Sequence, residues 1–246
     1  MSAASVSKVA GTLEVVRDAG ALAARAAEII AGRLAVARYP FRLVLSGGST
    51  PRATYELLAG KDLDWDCCEI FFGDERLVPP DHPDSNYRMA RETLLAGPNV
   101  NPRKVLAIPT DGSLQSCADR YDEVLRQQYG AGTLDPDVPL FHLTLLGLGE
   151  DGHTASLLPD QPVLKERERW AAPVPQGRAE PRITLTYPAL NSSELILFLV
   201  SGSAKRDALA QARAGALPAG GLEPQGEIVW LADEAAAGTN DEGYGF

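Results

Sequence analysis

From Asp18 to Arg38 (DAGALAARAAEIIAGRLAVAR) apolar residues recur at helical spacing behind a capping-type Asp, which predicts one long amphipathic helix ended by Tyr39-Pro40. FRLVLS (41–46) is then a short apolar run stopped by Gly47-Gly48, and a helical pattern resumes from Thr50-Pro51 through Leu58. The alternation repeats. CEIFFG (68–73) reads as a strand, NYRMARETLL (86–95) as a helix, VLAI (105–108) as a strand and SLQSCADRYDEVLRQQY (113–129) as a helix. FHLTLLGLG (141–149) is apolar almost without a break, as suits a strand covered on both faces of a parallel sheet. RITLTY (182–187), ELILFLVS (194–201) and EIVWLA (227–232) complete the strands, with SAKRDALAQAR (203–213) as a helix between the last two.

Strands alternating with helices predict a doubly wound α/β fold, with a mostly parallel sheet, helices on both faces and ligands bound beyond the carboxyl ends of the strands. The loops at 46–51, 73–76, 147–154 and 201–206 fall at that edge. Pro-rich stretches at 159–162 and 173–181 read as surface connections, because no shift of composition accompanies them. A single domain over 1–246 is therefore expected, with 237–246 as a flexible tail and no internal repeat.

Composition narrows the partners. Hydrophobic residues make up 45% and charged residues 23%, which is ordinary globular usage. The net charge of -10 opposes nonspecific attraction to nucleic acid or anionic lipid, so an anionic ligand would have to be met by local cations. The start, MSAASVSKVAGTLEVV, lacks an apolar core of signal-peptide length, and no run approaches the roughly 18 apolar residues of a membrane span. A cytoplasmic protein without nucleic-acid or membrane partners is expected, as a monomer or small homo-oligomer. Cys67, Cys68 and Cys117 form no Cys-x-x-Cys pattern and read as reduced, buried thiols. A three-histidine metal site would need all of His82, His142 and His153, so no metal is implied.

Four loops carry candidate chemistry. Ser46-Gly47-Gly48-Ser49 joins a strand to a helix, where backbone N–H groups and the helix dipole can converge on an anion; a tight turn that merely needs glycine is the plainer alternative. It is neither a dinucleotide fingerprint nor a Walker loop. Asp74-Glu75-Arg76 follows the next strand, and Arg76 can fork onto a phosphate or carboxylate, although a surface ion-pair cluster would look the same. In Gly147–Ala155 (GLGEDGHTA) three glycines within six residues point to a positioned loop that aims His153 into a cleft, where a neutral imidazole suits general-base work. His142, inside a strand, and His82, in a Pro-rich loop, are expected to be structural. Ser201–Arg206 adds Lys205 and Arg206 to the same edge, either as a phosphate grip or as solvated helix charges.

Together LSGGSTPRATYELL, FFGDERLVPPDHPDSNYRMARETLL, LLGLGEDGHTASLLP, RITLTYPALN and SGSAKRDAL resemble, in order and at fitting separations, the 6-phosphogluconolactonase family of the glucosamine/galactosamine-6-phosphate isomerase superfamily, over about residues 41–210. The resemblance implies the fold related to glucosamine-6-phosphate deaminase, and hydrolysis of 6-phospho-D-glucono-1,5-lactone to 6-phosphogluconate in the oxidative pentose phosphate pathway, without a metal or organic cofactor. On matching positions it implies His153 as the base and Asp151 as the neighbour that helps set the site. It implies Ser46, Gly47, Gly48, Ser49, Asp74, Arg76, Arg182 and Lys205 around the phosphate and the lactone oxygens, with Lys205 the principal phosphate cation. Gly73 departs from the pattern, where another residue, often Ala, stands before the Asp.

Two rivals remain. A deaminase of the same superfamily shares the Asp-Gly-His loop, but its pattern resembles GHIAFNEP, whereas here GHTASLLP puts Leu158 at the glutamate position. A non-catalytic sugar-phosphate sensor would normally carry a DNA-binding segment, and neither terminus has basic helix-turn-helix character. Within ester chemistry, a Ser nucleophile is disfavoured because Gly-x-Ser-x-Gly is absent and neither Ser46 nor Ser49 has an identifiable base.

Overall fold

In the computed structural model, which describes residues 11–37 and 40–239, apolar runs pair into two sheets. The strands are β1 (Thr12–Val16), β2 (Phe41–Leu45), β3 (Cys68–Phe72), β4 (Asp74–Arg76), β5 (Lys104–Leu106), β6 (Leu143–Gly147), β7 (Ala171–Val174), β8 (Arg182–Leu185), β9 (Leu195–Val200) and β10 (Glu227–Asp233). Seven of them form a sheet in the order β1-β10-β9-β6-β2-β3-β5, every pair parallel. β3 and β9 are buried at every position, as strands covered on both faces must be.

Helices α1 (Ala19–Ala35), α2 (Ser49–Ala59), α3 (Asn86–Ala90), α4 (Leu114–Tyr129), α5 (Tyr187–Asn191) and α6 (Arg206–Arg213) supply that cover. Asp18 caps α1 by accepting the Ala21 N–H at 2.8 Å, and the stripe Leu22, Ala26, Ile30 and Leu34 is buried. The helix expected over 18–38 thus ends at Ala35, while Arg38 and Tyr39 lie outside the described residues. The helix expected over 86–95 widens after Ala90 into a π-type turn, Arg91–Leu95. At the core the Phe198 and Trp230 rings of β9 and β10 stack 3.8 Å apart.

From β2 the chain works outward through β3 to β5, and from β6 it works the other way through β9 to β10. The crevice of such a sheet opens where the winding reverses, between the carboxyl ends of β2 and β6. A second sheet, β4-β8-β7, is antiparallel and grows directly from that edge, since only Gly73 separates β3 from β4. This corrects two expectations. RITLTY pairs with this small sheet and not with the parallel one, and the Pro-rich segment at 173–181 begins inside β7.

Cys68 and Cys117 are buried and unbridged, but Cys67 is only partly covered. Among the described residues no helix is long and apolar enough to cross a membrane. The tail expected over 237–246 starts at the last residue of a short helix, Glu234–Ala237, and residues 240–246 lie outside the described ones, as do 1–10.

Candidate active site

β2 ends at Leu45, and Ser46-Gly47-Gly48 leads into α2. The buried Tyr55 latches this loop: its hydroxyl donates to the Ser46 carbonyl and accepts the Ser46 N–H, each at 2.9 Å. Gly48 has a φ of +114°, and a Cβ on Gly47 would overlap the side-chain oxygen of Asn86, so the turn requires both glycines. No side chain caps α2, which leaves its first N–H groups open to an anion. Gly73 is different: a Cβ there would meet Leu45 and Val44 at ordinary distances of 3.6 and 3.7 Å, so its departure from the family pattern disturbs nothing.

Asp74 and Glu75 are strand residues whose carboxylates are held by hydrogen bonds. The Asp74 carboxylate accepts the Ser156 hydroxyl at 2.6 Å and the Asn86 amide at 3.1 Å. Glu75 accepts N–H groups from Arg76, Asn86 and Tyr87 and the Ser85 hydroxyl, which ties down the start of α3. Burial nonetheless raises the Glu75 pKa, against those four hydrogen bonds.

Arg76 and Arg182 are register partners across β4 and β8, so two guanidiniums lie side by side. The Nε of each is buried and without a hydrogen-bond partner. Arg76 donates to the Asp84 carbonyl at 2.5 Å, whereas Arg182 stands 3.7 Å from the Asp74 carboxylate. Burial lowers the Arg182 pKa; Asp74 opposes the shift and the like charge of Arg76 adds to it. An anion placed against this pair would satisfy idle donors and relieve the repulsion.

Beyond β6 the glycine-rich loop folds on itself, with Gly149 N–H donating to the His153 carbonyl at 2.8 Å and the Thr154 hydroxyl to the Gly147 carbonyl at 2.9 Å. His153 Nδ1 lies 2.5 Å from an Asp151 oxygen. A Cβ on Gly149 would overlap that nitrogen, so the close approach belongs to glycine alone. Arg178, from the connection between β7 and β8, donates to the other Asp151 oxygen at 2.6 Å. Burial disfavours charge on Asp151, but hydrogen bonds from Arg178 and His153 outweigh it and hold the carboxyl well below the usual carboxylate range. An anion at Nδ1 favours the tautomer with the hydrogen on that nitrogen, which leaves Nε2 the lone pair a base needs.

A cavity of about 300 Å³ unites these pieces. Ser46, Gly47, Gly48 and Ser49 line one wall, Asp74, Arg76 and Arg182 another, and His153 and Lys205 face in from the loops after β6 and β9. Lys205 is held only loosely, 3.8 Å from the exposed Glu150. Asp151 does not line the cavity and stands behind His153. His142 lies away from it, and His82 is engaged with Asp84 in its own loop. Among the described residues, no three His, Cys, Asp or Glu side chains are arranged to hold a metal.

Two residues escaped sequence reasoning. Asn86 lines the cavity, and its place after Asp84-Ser85 at the start of a helical run was the available signal. Arg178 touches both members of the histidine pair from a Pro-rich stretch that offered none.

Residues 17–230 match the family described as glucosamine-6-phosphate isomerases/6-phosphogluconolactonase. A 6-phosphogluconolactonase from Nostoc sp. is 40% identical over 234 residues, covering 92% of this chain and 96% of that protein. The structure of 6-phosphogluconolactonase from Trypanosoma cruzi superposes with a TM-score of 0.82 at 25% identity, covering 95% and 98% of the two chains. A monomeric glucosamine-6-phosphate deaminase, at 20% identity and a TM-score of 0.77 over 92% of this chain and 99% of its own, shares the fold.

Proposed function

Because the chain belongs to the glucosamine-6-phosphate isomerase/6-phosphogluconolactonase family and has the enzyme role of the 6-phosphogluconolactonases, we propose that it opens 6-phospho-D-glucono-1,5-lactone with a water activated by His153. One observation supports this reading above the others. In a chain of net charge -10, the cavity beside the His153–Asp151 pair is walled by two adjoining guanidiniums with idle donors and by a lightly held lysine.

The phosphate docks against Arg76, Arg182 and Lys205, and the lactone carbonyl carbon, C1, faces His153. Nε2 takes a proton as the water oxygen bonds to C1, and the tetrahedral adduct then expels the ring oxygen, which receives that proton back. The C1–O bond of the ring breaks, and the new carboxylic acid ionises to leave 6-phosphogluconate. Phosphate anchoring contributes by holding C1 in reach of the water, since a six-membered lactone is already a reactive ester. The same reading puts the reaction in the oxidative pentose phosphate pathway, in the cytoplasm, within one domain over 1–246 and without a cofactor.

A deaminase would need an acid where Leu158 stands, and Leu158 is 1% exposed in the core. Lactone loss measured against its spontaneous rate, with glucosamine 6-phosphate as competing substrate, tests the choice. Strong acceleration of lactone opening without ammonia release is the expected result; ammonia release without lactone opening would overturn it.

A further inference from the structure

The family match leaves Arg178 without a role, yet no other side chain reaches both members of the His153–Asp151 pair among the described residues. Its Nη2 donates to Asp151 at 2.6 Å and lies 3.1 Å from His153 Nδ1, while its Nη1 is braced on the Gly177 carbonyl at 2.8 Å. Two groups compete for Nδ1, and charge decides between them. A guanidinium has no lone pair and cannot accept, so a neutral ring with Nδ1 protonated must give its hydrogen to Asp151. Arg178 then acts as a second clamp on the same carboxylate.

We propose that Arg178 is a positioning residue of the reaction, which orients Asp151 so that His153 presents Nε2 to the water, and whose positive charge opposes premature protonation of the ring. The inference rests on His153 being the base. Arg178 does not line the cavity, which sets it apart from the phosphate cations. Other charges around the ring come from each neighbouring element: Asp151 and Glu150 on its own loop, Lys205 after β9, Asp74 and Arg76 on β4, and Arg182 on β8. Asp151 favours the protonated ring, whereas Arg178 is the nearest cation that resists it. Deleting Arg178 therefore leaves the carboxylate unopposed, and the ring should capture its second proton at higher pH.

The test follows the His153 ring by 15N NMR, feasible in a chain with three histidines, alongside the pH dependence of lactone hydrolysis. In Arg178→Ala the ring titration should move up by about one pH unit, the lower end of what a neighbouring charge does. The acid limb of kcat/KM should move with it. Activity would then fall about tenfold on the acid limb through the moved titration, and by a further few-fold at every pH, plateau included, through the loosened clamp on Asp151. Arg178→Lys should fall between, because it restores the charge without the fork.

A uniform loss at every pH with an unmoved ring titration would overturn the proposal, since that is what mere loosening of the loop produces. So would a raised KM with an unmoved titration, which would make Arg178 a substrate contact. If the unmodified protein fails to open the lactone, the proposed function falls, and the NMR titration still decides the role of Arg178 by whether it moves.

Discussion

His142 and His153 stand at opposite ends of β6, and what each does at Nδ1 separates them. His142 Nδ1 accepts the backbone N–H of Arg42 at 3.0 Å, and its ring lies 5.5 Å from that of Phe41. The lone pair there is already used and Nε2 already carries the ring's hydrogen, so a second proton could enter only at Nδ1 and would break a backbone bond. Burial, more than its charged neighbours, lowers the His142 pKa. His153 has the reverse arrangement, with a carboxylate at Nδ1 and Nε2 left to take a proton. Two histidines flanking one strand thus differ in whether the partner at Nδ1 is a donor or an acceptor, and only the second arrangement suits the proposed base.

Removing the proposed base should have the largest effect. His153→Ala is expected to cut kcat by about 10²–10⁴-fold with an unchanged circular dichroism spectrum, the usual range for a lost general base. Gly149→Ala attacks the same pair without touching it, because the added methyl must displace the ring. Steady-state kinetics should show kcat lower by on the order of 10²-fold, as a misplacement of about 1 Å can cause.

At the other end of β6, His142→Phe should leave kcat alone and cost about 1–3 kcal/mol in urea unfolding at pH 8, since the Arg42 N–H loses its acceptor. The pH dependence has a definite sign. The folded ring titrates below the ordinary value of 6.5, so the unfolded chain takes up the proton first, and stability present above pH 6.5 declines as the pH falls. The variant should lack that decline. Smallest is the contrast between two lysines. Lys205→Ala should raise KM about tenfold, equal to about 1.4 kcal/mol, with kcat held. Lys104→Ala, at the far end where Lys104 lies 3.1 Å from Glu69, should change neither.

Periodicity exposed the parallel sheet because its strands are apolar on both faces: the runs at 41–46, 68–73 and 194–201 each became a strand within a residue of the expected ends. The small sheet was hidden. β4 is Asp-Glu-Arg, which has the composition of a loop, and β7 carries Pro173; both are strands only because β8 is there to pair with them. β1 was also missed, since Glu14 interrupts its apolar pattern on an edge strand. The cavity residues were legible where chemistry coincides with a glycine-rich turn, as at Ser46–Ser49 and His153. Arg178 was not, because its position depends on how a surface connection of prolines and glycine folds back over the Asp151 loop.

The Ser156 hydroxyl, by gripping Asp74, fastens the end of the histidine loop to the sheet that carries Arg76 and Arg182. His153 and the paired guanidiniums therefore sit on parts bolted together by a buried 2.6 Å joint, and the span between them behaves as a rigid gauge. On the proposed reading, such a gauge would measure the length of its guest, from the anion at one end to the carbonyl at the other.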